Sequence, residues 1–320
     1  MNTAIITERN SSHSIKAHIA FGAFIIVSTI AFWRIIGAWF DYSLHNQSGS
    51  HIVLIPLVSA FLIFRERQRI FSSVRPSMIA GIGTILCGIA FYEISIGGMA
   101  SWKGDESLSA SALAVLLIWV GGFVSIYGLT AAHAGAFPLL FLALMIPLPD
   151  RFLNWTIELL QRGSTEVSYL LFNLVGVPAL KQGFVITVPG ISIEVAAECS
   201  GIRSSLALLI TCLLAAYLYL RTPWKILVFI LLVIPLSVIK NGIRIVTLTL
   251  LSLYVDPRFL TGSLHRDGGF VFFLLALLLL FPAFLLFEKS ERRDASQVLE
   301  PVSREVSNDQ DAPSRLAREE

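Results

Sequence analysis

Along the chain, apolar residues gather in long, nearly unbroken runs. They do not alternate with polar residues or trace a single helical stripe. The runs occupy residues 19–40, 52–64, 79–97, 110–127, 134–147, 204–220, 224–243 and 270–287. The hydrocarbon core of a bilayer asks for roughly 20 apolar residues per helix, fewer where polar flanks reach back to the interface. The pattern therefore predicts an all-α polytopic membrane protein with about eight transmembrane helices. Two boundaries are weakly marked: 52–64 is short, and the run from Trp224 continues through Arg244 toward Tyr254 without a stop. No repeat with a period of roughly 20–50 residues is visible.

Between the fifth and sixth runs the pattern changes. Phe152, Thr156, Leu159, Leu160, Val167, Leu170, Leu171 and Leu174 recur near helical spacing, while Arg151, Asn154, Glu158, Gln161, Arg162 and Glu166 fall off that stripe. An amphipathic helix over 151–175 suits the membrane interface better than the hydrocarbon. Residues 184–188 and 191–195 then read as a short external β-hairpin. Its Pro189-Gly190 turn fits type II, proline setting φ and glycine taking the positive φ. A hairpin has open edges, so it must sit outside the lipid or against protein. It delivers the chain to Glu198-Cys199-Ser200-Gly201-Ile202-Arg203, at the mouth of the sixth apolar run.

Composition agrees with a membrane location. The chain is 55% hydrophobic and 14% charged, with a mean hydropathy of +0.74. Soluble domains carry about 25% charged residues. Residues 288–320 alone hold nine acidic and six basic residues, which leaves the first 287 residues about 11% charged. This excludes a soluble globule and a disordered protein, and a net charge of +2 gives no reason to expect a nucleic-acid partner. The implied division is a cytoplasmic N-terminal segment (1–18), an integral membrane domain (19–287) and a charged cytoplasmic tail (288–320) expected to be disordered. The polar start lacks a small-residue cleavage site, so the first apolar run is expected to remain in the membrane. Three cysteines suggest no disulfide framework.

Basic residues set an expected orientation. Arg65, Arg67, Arg69 and Arg75 follow the second run, whereas 41–50 has no Lys or Arg. By the positive-inside rule the former loop is cytoplasmic and the latter external. Arg221, Lys225, Arg292 and Arg293 then fall inside as well. Both termini are expected in the cytoplasm, with 148–201 outside.

On that topology three reactive residue types meet at the external face. Cys199 opens the sixth helix, and His265 lies just before the last one. Arg244 stands 20 residues beyond Trp224, about 30 Å along a helix, and so reaches the outer interface. A thiol at a helix N-terminus beside a guanidinium is favoured as thiolate. Glu194 and Glu198 oppose that effect, and Arg203 shares the face of Cys199. His265 has the chemistry to exchange a proton near neutral pH. Arg244 has the permanent charge to stabilise an oxyanion.

Plainer readings apply elsewhere. Cys87 and Cys212 read as inert apolar residues; Cys212 lies 13 residues from Cys199, about 20 Å along a helix, too far to pair with it. Lys240 reads as snorkelling, and Arg244 admits that reading too. Arg34 reads as an interface anchor, Glu93 as structural, and His13, His18 and His133 as loop histidines. No cofactor or metal site is expected.

Ala197-Glu198-Cys199-Ser200-Gly201-Ile202-Arg203 resembles the exosortase/archaeosortase family, polytopic membrane enzymes regarded as cysteine transpeptidases. The resemblance covers about residues 45–287. Ser50-His51 with Leu54-Ile55-Pro56 is similar to the family's early segment, with Ile52 where Gly is usual. Met145-Ile146-Pro147-Leu148-Pro149 with Leu160-Gln161 resembles its middle signature, Asn241-Gly242-Ile243-Arg244 its Asn-x-x-Arg element, and Gly262-Ser263-Leu264-His265 its final histidine element.

The resemblance implies that Cys199 is the nucleophile, with Arg244 and His265 completing the set. The implied substrates are exported proteins ending in a sorting tail: a Pro-Glu-Pro-like motif, a transmembrane helix and a basic cluster. Cleavage near the motif would pass the acyl group to an acceptor nucleophile that the chain does not identify. The implied location is a bacterial inner membrane with the site on the external face, and exopolysaccharide export is the family's usual setting. The roles of His51, Glu194, Glu198, Arg203 and Asp267 stay open. A transporter or flippase for a lipid-linked saccharide is the rival reading, disfavoured because the predicted spans carry few charges. A non-catalytic scaffold is the third.

Overall fold

The computed structural model describes residues 2–96, 104–260 and 269–316. They form two compact units, Met1–Trp155 and Thr156–Glu320, taken here in turn.

In the first unit helices α1 (Asn2–Ala31) and α2 (Trp33–His45) meet at a sharp bend of 78°. They are followed by α3 (Leu54–Arg65), α4 (Arg67–Ile70), α5 (Met78–Ile96), α6 (Asp105–Tyr127), α7 (Leu129–Ala134) and α8 (Ala136–Phe141). A 3₁₀ turn, Leu142–Met145, ends the fifth apolar run. Most of α6 is buried, so it is the axis of this unit. Small residues let α5 lie directly on it. A Cβ added at Gly81 would stand 2.4 Å from the backbone nitrogen of Ser125 and 2.6 Å from its Cα. Such contacts drive helix association in lipid, where apolar burial between helices brings no gain. His18 lies within α1 instead of a loop, and its Nδ1 is 2.9 Å from the Tyr127 hydroxyl.

The second unit contains most of α9 (Asp150–Leu174), then strands β1 (Leu180–Gln182), β2 (Val185–Val188) and β3 (Ile191–Glu194). The expected hairpin is present as β2 and β3, paired antiparallel from Val188↔Ile191 to Val185↔Glu194, and Gly190 takes φ 94° in its turn. β1 adds a third strand in the order β1-β2-β3. It escaped notice because Leu180-Lys181-Gln182 is too short to show alternation. Helices α10 (Ile202–Tyr219), α11 (Pro223–Leu231), α12 (Val233–Tyr254) and α13 (Gly269–Leu316) complete the unit. Leu208, Cys212, Ala216, Phe229, Val233, Ala276 and Leu280 form the core shared by α10 to α13. Glu291 of α13 accepts the backbone N–H of Thr222 (2.8 Å) and of Arg221 (3.2 Å), meeting amide groups at the start of α11.

Among the described residues, five helices are long and apolar enough to cross a bilayer, and seven spans result if each of two bent pairs counts as one. All eight predicted apolar runs contain helix, but the count of eight straight spans is not reproduced. The first run is bent at Phe32, the second is 12 residues long, and the fifth breaks into α8 and a 3₁₀ turn before Pro147. Amphipathic α9 forms at the expected place with an unexpected inner face. Leu160, Ser164, Thr165, Ser168 and Phe172 are buried, whereas Phe152, Leu159, Leu170 and Leu174 of the apolar stripe are exposed. Beside lipid the usual rule reverses, and small polar residues turn toward protein.

Lys240 also departs from expectation. It is 1% exposed and its Nζ donates to Ser204 Oγ. Its head group is thus turned into protein, where a snorkelling lysine would reach for the interface. The membrane-length helices therefore enclose a cation, contrary to the near absence of charge inferred above.

The contact of Gly81 with the Ser125 backbone generates a test. Gly81→Leu should force α5 off α6 and lower stability by about 2 kcal/mol or more, read as a fall in the unfolding midpoint of the detergent-solubilised protein.

Candidate active site

Cys199 sits in a 3₁₀ turn, Ala197–Ser200, between the sheet and α10. Its own N–H donates to Ala196 O at 2.9 Å. Gly201 caps α10 at φ 75° and ψ 18°, a left-handed conformation that side chains with a Cβ rarely adopt. That residue turns the chain from 3₁₀ geometry into the membrane-crossing helix. Its carbonyl accepts from the Ser204 hydroxyl (3.0 Å) and the Ser205 hydroxyl (2.9 Å), which fixes the first turn of α10.

The turn is pinned from α12. Asn241 is 2% exposed, and its Nδ2 donates to Cys199 O at 2.8 Å and to Ser164 Oγ of α9 at 2.9 Å. A Cβ at Gly201 would come within 3.0 Å of Asn241 Oδ1. At Gly242 a Cβ would meet Val167 at 2.5 Å, so that glycine lets α9 press against α12 beside Asn241. Lys240, bonded to Ser204, supports the same stretch of α10. α9 and α12 thus converge on the cysteine turn through Asn241.

Arg244 is one helical turn beyond Lys240 on α12, half-buried, and close enough to Cys199 for the two side chains to interact electrostatically. The two line one open cleft with Ile193, Glu194, Val195, Ile245, Leu248 and Thr249, with about 380 Å³ of empty space counting its open mouth. Its walls are apolar apart from the thiol, the guanidinium, Glu194 and Thr249, and Thr249 Oγ1 is turned to Ile245 O at 2.7 Å. A cleft with one nucleophile and one fixed cation is equipped for attack on a carbonyl whose oxygen gains negative charge.

The span Pro223–Tyr254 has 32 residues, about 48 Å of helix, against a hydrocarbon core of about 30 Å. Val246, Leu250 and Leu253, near its C-terminal end, pack on the sheet through Phe172, Ile186 and Val188. The cleft and the sheet thus lie together at the C-terminal end of this span.

Of the sequence-predicted site residues, the structure brings Cys199 and Arg244 into one cleft. Glu194 joins them, while Glu198 and Arg203 are exposed. His265 and Asp267 lie outside the described residues. His51 belongs to the first unit, where its Nε2 is 3.1 Å from Leu144 O. Burial pushes its imidazole below the usual histidine range. Cys212 is buried in the α10–α13 core and Cys87 is exposed on α5. Sequence reasoning noted Asn241 only as part of a motif and missed its contacts. A polar amide inside an otherwise apolar run, three residues before an arginine, is the signal that marks it.

A profile of the transmembrane exosortase family matches residues 39–282. The chain belongs to that family. No curated protein and no solved structure matches it.

Because Asn241 Nδ2 serves two acceptors, removing it should not add to removing one of them. Asn241→Leu should cost about 1–3 kcal/mol of stability by leaving Cys199 O and Ser164 Oγ unmet. In a double-mutant cycle, Ser164→Ala should cost measurably less in the Asn241→Leu background than alone, read from unfolding midpoints in detergent.

Proposed function

We propose that this exosortase is a membrane-embedded cysteine peptidase and transpeptidase that removes the C-terminal sorting tail of exported proteins through a thioester at Cys199. The observation that carries the reading is the cleft shared by Cys199 and Arg244 at the C-terminal end of the α11–α12 span. Membership of the exosortase family supports a protein substrate anchored in the bilayer.

In this mechanism the Cys199 thiolate attacks the scissile carbonyl carbon, forming a C–S bond as the carbonyl π electrons move to oxygen. Arg244 faces that developing oxyanion with a charge that needs no reorganisation. Collapse expels the tail's amine, which takes a proton from His265, and leaves the exported protein as a thioester on sulfur. His265, now neutral, takes a proton from the acceptor nucleophile as the acceptor attacks the thioester. The product departs, and the sulfur leaves as the Cys199 thiolate that began the cycle. An amine acceptor gives transpeptidation and water gives hydrolysis. The part given to His265 rests on the family resemblance of Gly262-Ser263-Leu264-His265.

Orientation follows from the basic residues. Arg65, Arg67, Arg69, Arg75, Arg221, Lys225, Arg292 and Arg293 belong on the cytoplasmic side, which puts the cleft on the external face of the inner membrane and both termini in the cytoplasm. Substrates exported across that membrane would meet the cleft after translocation.

A reporter protein ending in a Pro-Glu-Pro segment, a transmembrane helix and a basic cluster, expressed with the full chain, tests the reading. Cys199→Ala should abolish tail removal with membrane insertion intact, and full processing by that variant would falsify the thioester. Arg244→Lys should slow processing by about 10²–10³-fold, since a lysine cannot present the same planar fork of donors. Mass spectrometry of the reporter's new C-terminus distinguishes a free acid from a transferred acceptor.

A further inference from the structure

The pairing register of the sheet fixes the direction in which each backbone group of β3 points. Val195 N donates to Phe184 O at 2.9 Å, so Phe184 and Val195 form a hydrogen-bonded pair. In an antiparallel ladder such pairs alternate with non-bonded ones. Ile186↔Ile193 and Val188↔Ile191 therefore belong to the bonded class, and Val185↔Glu194 and Thr187↔Ser192 to the other. It follows that Ile191 and Ile193 turn their N–H and C=O groups toward β2. Ser192 and Glu194 turn theirs away from it.

On that outward side no strand of the described sheet follows, because β3 ends the order β1-β2-β3. The side chains alternate as well. Ile191 and Ile193 face the apolar cluster of Phe172, Ile186, Val188 and Val246, while Ser192 and Glu194 are exposed on the opposite face. Edge strands are usually blunted by charged side chains, above all lysine, by proline or by a bulge. Between Ile191 and Glu194, β3 carries neither lysine nor proline, and its one charged side chain is Glu194 at its end. It also runs straight into the cleft, since Ile193, Glu194 and Val195 line it together with Cys199 and Arg244.

We propose that the outer edge of β3 is the docking strand for the substrate: an extended stretch of the exported protein, next to its scissile bond, adds to it as a fourth strand. The proposal rests on the thioester reading above and names the binding subsite that the reading lacks. Continuity of the edge with the cysteine cleft selects this occupant over a second copy of the chain, because only a strand held there leads its backbone to the Cys199 sulfur. Main-chain bonds to Ser192 and Glu194 would hold the segment, a mode that gives affinity from backbone and selectivity from alternate side chains. One set of alternate residues would fall on the side of Ile193, Ile245 and Leu248, where apolar side chains fit. The intervening set would face water beside Ser192 and Glu194.

Period-two contact is the signature of strand addition, and disulfide trapping reads it directly. The enzyme carries Cys87→Ala, Cys199→Ala and Ser192→Cys, leaving only the buried Cys212 besides the probe. A single cysteine is walked through the reporter's residues before and across its Pro-Glu-Pro segment. Cross-linking under mild oxidation should rise and fall at every second position. Uniform cross-linking, a period of three to four, or none at all overturns the proposal.

A second variant, Ser192→Pro, deletes an outward N–H and leaves the ladder with β2 intact, a placement proline tolerates at an edge. Tail removal should fall at least about 10-fold while Cys199 still reacts with a membrane-impermeant maleimide; processing at the wild-type rate in a protein that labels normally overturns the proposal. Where that variant fails to label, the cross-linking scan decides. The two readings fail separately. Tail removal by Cys199→Ala alone sinks the thioester, whereas an inert Cys199→Ala with no period-two pattern sinks only the strand.

Discussion

A cysteine proposed to react at a membrane surface has to be held by something other than hydrophobic packing, because lipid competes for every apolar contact. Here the holding is done by one buried amide. Asn241 reaches the Cys199 carbonyl and the Ser164 hydroxyl together, so α9, α12 and the turn before α10 share a fixed point. Two glycines make the arrangement possible. Gly201 accepts a left-handed backbone against the Asn241 side chain, and Gly242 lets α9 approach where any side chain would collide with Val167. If the amide is lost, the turn's carbonyl and a buried hydroxyl lose the donor that joins them. The geometry of Cys199 relative to Arg244 therefore depends on a residue that does not line the cleft.

The buried lysine one residue earlier extends the theme. A cation enclosed by membrane-length helices is costly unless hydrogen bonds replace its hydration. Lys240 meets Ser204, whose hydroxyl in turn reaches Gly201 O. Lys240 and Asn241, adjacent on α12, thus bind successive parts of the same segment of α10. The buried charge fastens the neighbouring helix at the point where that helix begins.

Much of this was legible in the chain. Long apolar runs gave the helices, alternation around Pro189-Gly190 gave β2 and β3, and the placement of Cys199 and Arg244 at one depth anticipated the cleft. The parts that were not legible share a physical origin. Hydropathy reports how apolar a run is and not whether it is straight, so the bend at Phe32 and the 3₁₀ ending at Met145 had no signature. Apolar stripes mark the inner face of a helix in water, whereas in α9 much of the stripe is exposed and Ser164 and Ser168 face inward. Lys240 was misread because composition cannot tell whether a lysine turns toward the interface or into protein. Asn241 was visible as a letter in a motif, but its two acceptors come from residues 42 and 77 positions away.

The length of α12 has one more consequence. The α11–α12 span is longer than the hydrocarbon is thick, so the proposed thioester chemistry would lie at a set height above the lipid. On the proposed reading, a substrate anchored by a transmembrane helix of its own is tethered to that same plane. The stretch of chain between its anchor and its reactive carbonyl would then have to match the height of the cleft, neither so short that the carbonyl cannot rise to it nor so long that the tether loses its concentrating effect. In this sense α12 is a ruler, and the bilayer surface is its zero mark.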